Sequence, residues 1–228
     1  MSQPQAPPVL TLAICLFDEV TALDYQGPME LLGFVSPSML TGQTSFGNPA
    51  YAIAPTYLSP KDGPVKPTSG PLLLASRTYD SVGPDEQFDI ILIPGGHGVR
   101  PELVASSLVQ FVKRQAPEAK YVLSVCTGSW VLALAGLLKG KRATTNKSCF
   151  LEIQESTKDE GVTWVPRARW IVDGNYWTSS GITAGTDMAS AFLEHLLGAE
   201  VTSKIRGIAE LSVRQQGDDE FAAVYGLV

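Results

Sequence analysis

Histidine and cysteine are both scarce in this chain of 228 residues, which has two of the first (His97 and His195) and three of the second (Cys15, Cys126 and Cys149). No C-x-x-C pair occurs, and the cysteines are too few and too scattered for a disulfide framework or a zinc site. With two distant histidines, a histidine-rich metal centre is excluded as well. Charge is thin: 18% of residues are Asp, Glu, Lys or Arg, and acids outnumber bases 23 to 17. Nucleic acid is therefore a poor partner, because no basic excess exists to neutralise phosphates. No apolar stretch is long enough to span a bilayer. Val9–Phe17 is too short, and Met1–Pro8 before it lacks the positive flank of a signal peptide. What the chain does have is apolar residues, 44% of the total. That share excludes a disordered polypeptide. A chain of this length buries roughly 70% of its unfolded surface. The expectation is a disordered tail over residues 1–8 and a single domain over 9–228, soluble and cytoplasmic, binding neither membrane nor nucleic acid.

Buried-strand patterns alternate with helical ones. Val9–Phe17, Tyr51–Leu58, Leu72–Ala75, Phe88–Ile93 and Tyr121–Val125 read as strands, several of them continuous apolar runs suited to a sheet covered on both faces. Pro101 and Glu102 are good helix openers, with Val104, Leu108, Phe111 and Val112 on one face. Val131, Leu134, Ala135 and Leu138 repeat at helical spacing, with Gly140 able to end that helix. A further helix is expected over about 184–197. This alternation gives an α/β sandwich with a mostly parallel sheet. Residues 164–179 are β-rich, and Asp173-Gly174 signals a hairpin near the sheet edge. Ser36–Pro49 reads as a loop.

The most informative segment is Tyr121–Gly140. A buried strand delivers Cys126 to the start of a helix among small residues, the layout of a nucleophile elbow whose helix N-terminus would lower the thiol pKa. The other reading is a small buried cysteine filling a strand–helix junction. Pro94-Gly95-Gly96-His97-Gly98 also follows a buried strand. If the two strands are neighbours, the Gly96 and Thr127 amides can form an oxyanion hole; otherwise the glycines make a turn. Asp24, where the first strand gives way to a helix, is either a helix N-cap or an acid/base partner for the thiol.

Together, the motifs Leu23-Asp24-x-x-Gly27-Pro28, Ile93-Pro94-Gly95-Gly96-x-Gly98, Ser124-Val125-Cys126-Thr127-Gly128-Ser129, Arg142-Ala143-Thr144-Thr145 and Gly181-Ile182-Thr183-Ala184-Gly185-x-Asp187 resemble the ThiJ/PfpI superfamily, and within it the isocyanide (isonitrile) hydratases. The resemblance covers about residues 9–200. It implies a flavodoxin-like three-layer sandwich related to class I glutamine amidotransferase domains, with a small β-hairpin insertion. It implies Cys126 as nucleophile, Asp24 as the acid/base carboxyl and Thr127 beside the nucleophile. Gly96 and Thr127 would line the oxyanion site, and His97 either lines the pocket or is an exposed loop residue. No metal or organic cofactor is implied. The expected partners are a small-molecule substrate and a second copy in a homodimer.

Two departures stand out. Protease-like members carry His directly after the cysteine, where this chain has Thr127. Hydratase-like members often read Thr-Thr-His-Trp, where this chain has Thr144-Thr145-Asn146-Lys147. The reaction the resemblance favours is water addition to an isocyanide through a Cys126 thioimidate. The alternatives are a glyoxalase-like or reactive-metabolite enzyme using the same cysteine, or a non-enzymatic oxidation sensor. Cys15 and Cys149 read as structural, and Trp164, Trp170 and Trp177 as core or interface.

Overall fold

The computed structural model describes residues 6–41 and 47–228. In chain order the first elements are β1 (Val9–Cys15), α1 (Ala22–Gly33), α2 (Pro37–Leu40), β2 (Ala52–Ser59), β3 (Pro64–Val65), β4 (Leu73–Leu74), β5 (Arg77–Thr78), β6 (Ile90–Ile93) and α3 (Ser106–Gln115). There follow β7 (Tyr121–Ser124), α4 (Gly128–Leu134), β8 (Arg142–Ala143), α5 (Phe150–Ser156), β9 (Thr163–Trp164), β10 (Trp170–Asp173), β11 (Tyr176–Ser179), α6 (Thr183–Leu197), α7 (Ala199–Ile208) and α8 (Phe221–Val224).

Seven strands form the central sheet in the order β10-β11-β7-β6-β1-β2-β5. Every pairing is parallel except the β10–β11 hairpin at one edge. The continuous apolar runs sit in the middle, as a sheet covered on both faces requires: all four residues of β6 are fully buried, as are Leu12 to Cys15 of β1. From β1 the chain moves one way to β2 through α1, and from β6 the other way to β7 through α3. Right-handed crossovers then put the two helices on opposite faces. α1 packs against α6 in one layer, and α3 against α4 in the other. This is the flavodoxin-like sandwich expected from the sequence.

Several boundaries differ from expectation. The helix expected from Pro101 starts at Ser106, because residues 101–104 close a turn on the Arg100 carbonyl. The helix after Cys126 stops at Leu134, since Gly136 takes φ +74° well before Gly140. Leu73–Leu74 pairs with Pro64–Val65 outside the main sheet, and Trp164 pairs through β9 with β8. Of the 36–49 loop, residues 37–40 make one helical turn and 42–46 lie outside the described residues, as do residues 1–5 of the expected tail. The Pro8 carbonyl accepts the Ala52 N–H. Trp164, Trp170 and Trp177 are buried, as expected.

Because β1, β6, β7 and β11 run parallel side by side, their carboxyl ends share one rim. The Asp24 helix, the Gly95-Gly96 turn, Cys126 and the Ser180–Ile182 turn all leave from that rim. This is where open α/β sheets carry their sites.

Candidate active site

Cys126 lies two residues beyond β7 with φ +59°, a left-handed conformation that costs a non-glycine residue about 1–3 kcal/mol. Hydrogen bonds hold it there. Its amide donates to the Ser180 carbonyl at 3.0 Å, and its carbonyl accepts the Thr145 hydroxyl at 3.1 Å and the Ser129 hydroxyl at 3.3 Å. The elbow reading is therefore met in backbone geometry.

Asp24 is not the helix cap. Thr21 takes that position, and Asp24 turns inward from the first turn of α1, fully buried. Its Oδ2 accepts the Gly95 amide at 3.0 Å, while Oδ1 has no hydrogen-bond partner. Only glycine fits at 95: a Cβ there would stand 2.6 Å from the Thr127 amide nitrogen and 2.9 Å from Asp24 Oδ2. Burial pushes the Asp24 carboxyl up to about 7, with the Gly95 amide and the Cys126 thiol opposing the rise.

The thiol moves the other way from the sequence expectation. Burial, and then the charge of Asp24, push Cys126 up to about 12. The Asn146 side chain and the Thr127 and Ile182 amides, all directed at the sulfur, offset only part of this. A helix N-terminus at Gly128 does not outweigh loss of water and a neighbouring carboxylate. The pair thus loses its first proton near pH 7 and keeps its second on sulfur. A thiol beside a carboxylate base is the form present above neutrality.

The other expected residues are brought together with these two, in specific states. The Gly96 amide donates to Thr127 Oγ1 at 3.0 Å, and that hydroxyl donates back to the Gly96 carbonyl at 3.3 Å. Of the two candidate oxyanion donors, the Gly96 amide is therefore engaged with the Thr127 side chain and the Thr127 amide with the sulfur. His97 is more than half exposed, with Nδ1 2.6 Å from Glu19 Oε2, yet it borders the cavity above Cys126.

That cavity is about 230 Å³. Cys126, Thr127 and Gly96 line its base, and Thr21, Trp130, Arg100, Asn146 and Cys149 its walls. Arg100 lies 5.9 Å above the Trp130 ring centre and is tied to Glu152 at 2.5 Å. The Arg100 guanidinium thus carries its own carboxylate, and His97 is hydrogen-bonded to Glu19. Sequence reasoning missed Arg100 and Ile182, and read Cys149 as structural although it faces the same cavity as Cys126. It marked Asn146 only as a departure from the Thr-Thr-His-Trp pattern; in the structure Asn146 Nδ2 donates to Cys126 Sγ at 3.1 Å. Lys147, the other residue of that departure, is buried against Asp219 at 3.3 Å. Among the described residues, no group of three or more His, Cys, Asp or Glu side chains could hold a metal ion, and no helix is long and apolar enough to cross a membrane.

Comparison with known proteins agrees with this architecture. An isonitrile hydratase of Pseudomonas putida is 33% identical over 198 residues, covering 86% of this chain and 76% of that protein. The deglycase PfpI of Pyrococcus furiosus is 35% identical over 103 residues, 45% of this chain and 58% of the relative. Among solved structures, a ThiJ/PfpI family protein from Pseudomonas syringae superposes with a TM-score of 0.75 at 22% identity, covering 97% of this chain and 87% of the other. The sequence pattern of the DJ-1/PfpI family matches residues 11–195. With that pattern spanning the sheet and every residue around the Cys126 thiol, the chain belongs to the DJ-1/PfpI family.

Proposed function

We propose that this protein is an isocyanide hydratase, adding water to R–N≡C to give R–NH–CHO. The observation that carries the reading is the buried Asp24–Cys126 pair: a carboxyl with a pKa of about 7 facing a thiol, with no histidine among the groups that shift either. Such a pair suits a reaction in which one proton shuttles repeatedly at neutral pH and the electrophile is a single terminal carbon. Covalent catalysis divides the hydration into two easier additions.

In the first addition Cys126 sulfur bonds to the terminal carbon while Asp24 takes the thiol proton and returns it to that carbon. The product is a thioimidate, R–N=CH–S–Cys126. In the second, Asp24 takes a proton from water as the oxygen bonds to the same carbon, and passes that proton to the nitrogen. Collapse of the tetrahedral R–NH–CH(OH)–S–Cys126 expels sulfur and forms the formamide C=O. The hydroxyl proton passes by way of Asp24 back to the thiolate. Over the full cycle one water is added, and Asp24 and Cys126 both return to their starting protonation states. A value near 7 suits both directions of transfer. The small, largely apolar cavity, whose rim Arg100 is neutralised by Glu152, suits a compact uncharged R group.

The test is to incubate the protein and Cys126→Ala with an aryl isocyanide and, separately, with methylglyoxal. Cys126-dependent N-aryl formamide is the expected result. Lactate from methylglyoxal without formamide would replace this reading by a glyoxalase-like one.

A further inference from the structure

We propose that Asn146 is a catalytic donor to the nucleophile, its side-chain amide holding negative charge on the Cys126 sulfur whenever that sulfur is a free or departing thiolate. The chemistry rests on the reaction proposed above, but the hydrogen bond and its effect on the thiol do not.

The first argument is orientation. Asn146 Nδ2 donates to Cys126 Sγ at 3.1 Å, and Oδ1 accepts both the amide of Ser148 at 2.9 Å and its hydroxyl at 2.6 Å. Turning the amide over would aim its NH2 at the Ser148 amide, which can only donate, and leave Oδ1 against the thiol. The network therefore fixes the donor end toward sulfur. The second argument is space. A Cβ on residue 181 would stand 2.7 Å from Asn146 Nδ2, so Gly181 leaves the room in which the amide sits. The third is anchorage. The Thr145 hydroxyl bonds the Cys126 carbonyl, and the Lys147 ammonium is buried on Thr144, Ala168 and Asp219, so the segment carrying Asn146 is pinned on both sides.

An amide at this position has a distinct chemical consequence. It donates at every working pH and never takes up a proton, whereas an imidazole there would titrate and compete with Asp24 for the thiol proton. Proton traffic stays with Asp24, and Asn146 supplies a fixed dipole. Preorganised donors of this kind act without reorganising during reaction.

Asn146 also borders a second cavity, of about 330 Å³, lined by Lys147, Arg169, Ser180 and Ile182. Shortening it removes the donor and also widens access to the sulfur, and these two effects have opposite signs on thiol reactivity.

The experiment is the rate of iodoacetamide labelling at pH 8 in the wild type, Asn146→Ala and Asn146→Asp. Labelling is read at Cys126 by peptide mass analysis, because Cys149 faces the same cavity. Losing a hydrogen bond to an ionised sulfur is expected to slow labelling of Cys126 roughly 3- to 10-fold in the alanine variant, the smaller thiolate fraction being offset in part by the higher nucleophilicity of a more basic sulfur. A residue that merely walls off the thiol would give faster labelling instead. Asn146→Asp keeps the shape and both Ser148 bonds, so it guards against a folding defect in the alanine variant. It sets an anion against the sulfur, and its labelling is expected to be at least as slow. Labelling of a folded variant at or above the wild-type rate overturns the proposal. Formamide assays on the same proteins report separately. A wild type that forms no formamide defeats the reaction assignment while the labelling ratio still judges Asn146.

Discussion

Replacing Asp24 by Asn is expected to abolish turnover and to stabilise the protein at alkaline pH. The stabilisation follows from burial. The carboxyl titrates at about 7 in the fold against an ordinary 3.8, so the folded protein holds this proton more tightly than the unfolded chain does. Stability is therefore lost as pH rises from about 4, and the loss is complete above about 7. At 1.36 kcal/mol per pH unit, a rise of about three units makes the full loss about 4 kcal/mol. Between pH 5 and pH 8 the loss deepens by about 2.5 kcal/mol. Asparagine does not titrate, so the variant escapes this loss. Its oxygen can still accept the Gly95 amide, and whatever contact the new NH2 gains or lacks beside the sulfur is the same at both pH values. The quantity to measure is thus the difference in Tm between variant and wild type at pH 5 and again at pH 8. At about 2–4 °C per kcal/mol for a chain of this size, the variant should gain about 5–10 °C on the wild type between the two conditions. A Tm difference that stays constant with pH would refute the claim that Asp24 ionises unfavourably in the fold, and the acid/base role would lose its physical basis.

The same carboxyl should set the pH profile. Since Asp24 must be ionised to accept the thiol proton, kcat/KM for an isocyanide should rise about tenfold per pH unit and level off above about 7. A plateau extending down to pH 5 would contradict this. Away from the reacting atoms, Lys147→Met should leave the nearly buried Asp219 carboxylate without its cation. Breaking a buried pair in this way costs about 3–5 kcal/mol. Urea unfolding at pH 7 followed by tryptophan fluorescence should register that loss, and a midpoint equal to wild type would show that the pair contributes nothing.

The sheet was legible because its middle strands are apolar on both faces: Ile90–Ile93 can hardly sit anywhere but in a covered parallel sheet. Cys126 was legible because strand, small residues and helix follow one another without interruption. Asp24 was only half legible. Its neighbours in sequence allow a cap, and its inward placement emerges when β1 and β6 pair and bring the Gly95 amide to its oxygen. The direction of the thiol shift was not legible, because local order displays the helix N-terminus but not the depth of burial or the charge arriving from another segment. Asn146 was invisible as a donor for a similar reason. Its orientation depends on Ser148 beside it, but its target and its room come from Cys126 and Gly181, distant in sequence. Helix ends failed where a good local signal was overridden. Pro101 is a sound helix opener, yet the turn that closes on Arg100 uses those residues first.

The clamp on the elbow has a bearing on how the protein is made. The Cys126 amide is held by the Ser180 carbonyl, which belongs to the turn after β11. A ribosome delivers the cysteine well before that turn, and β11 must dock beside β7 before the hydrogen bond can close. Until then nothing from that side holds residue 126 in its costly left-handed conformation, and Ile182 is absent from the sulfur. The newborn chain therefore carries Cys126 without its Ser180 partner until residue 180 has been made and β11 has docked. The backbone clamp on the elbow is thus completed only when the last parallel strand arrives.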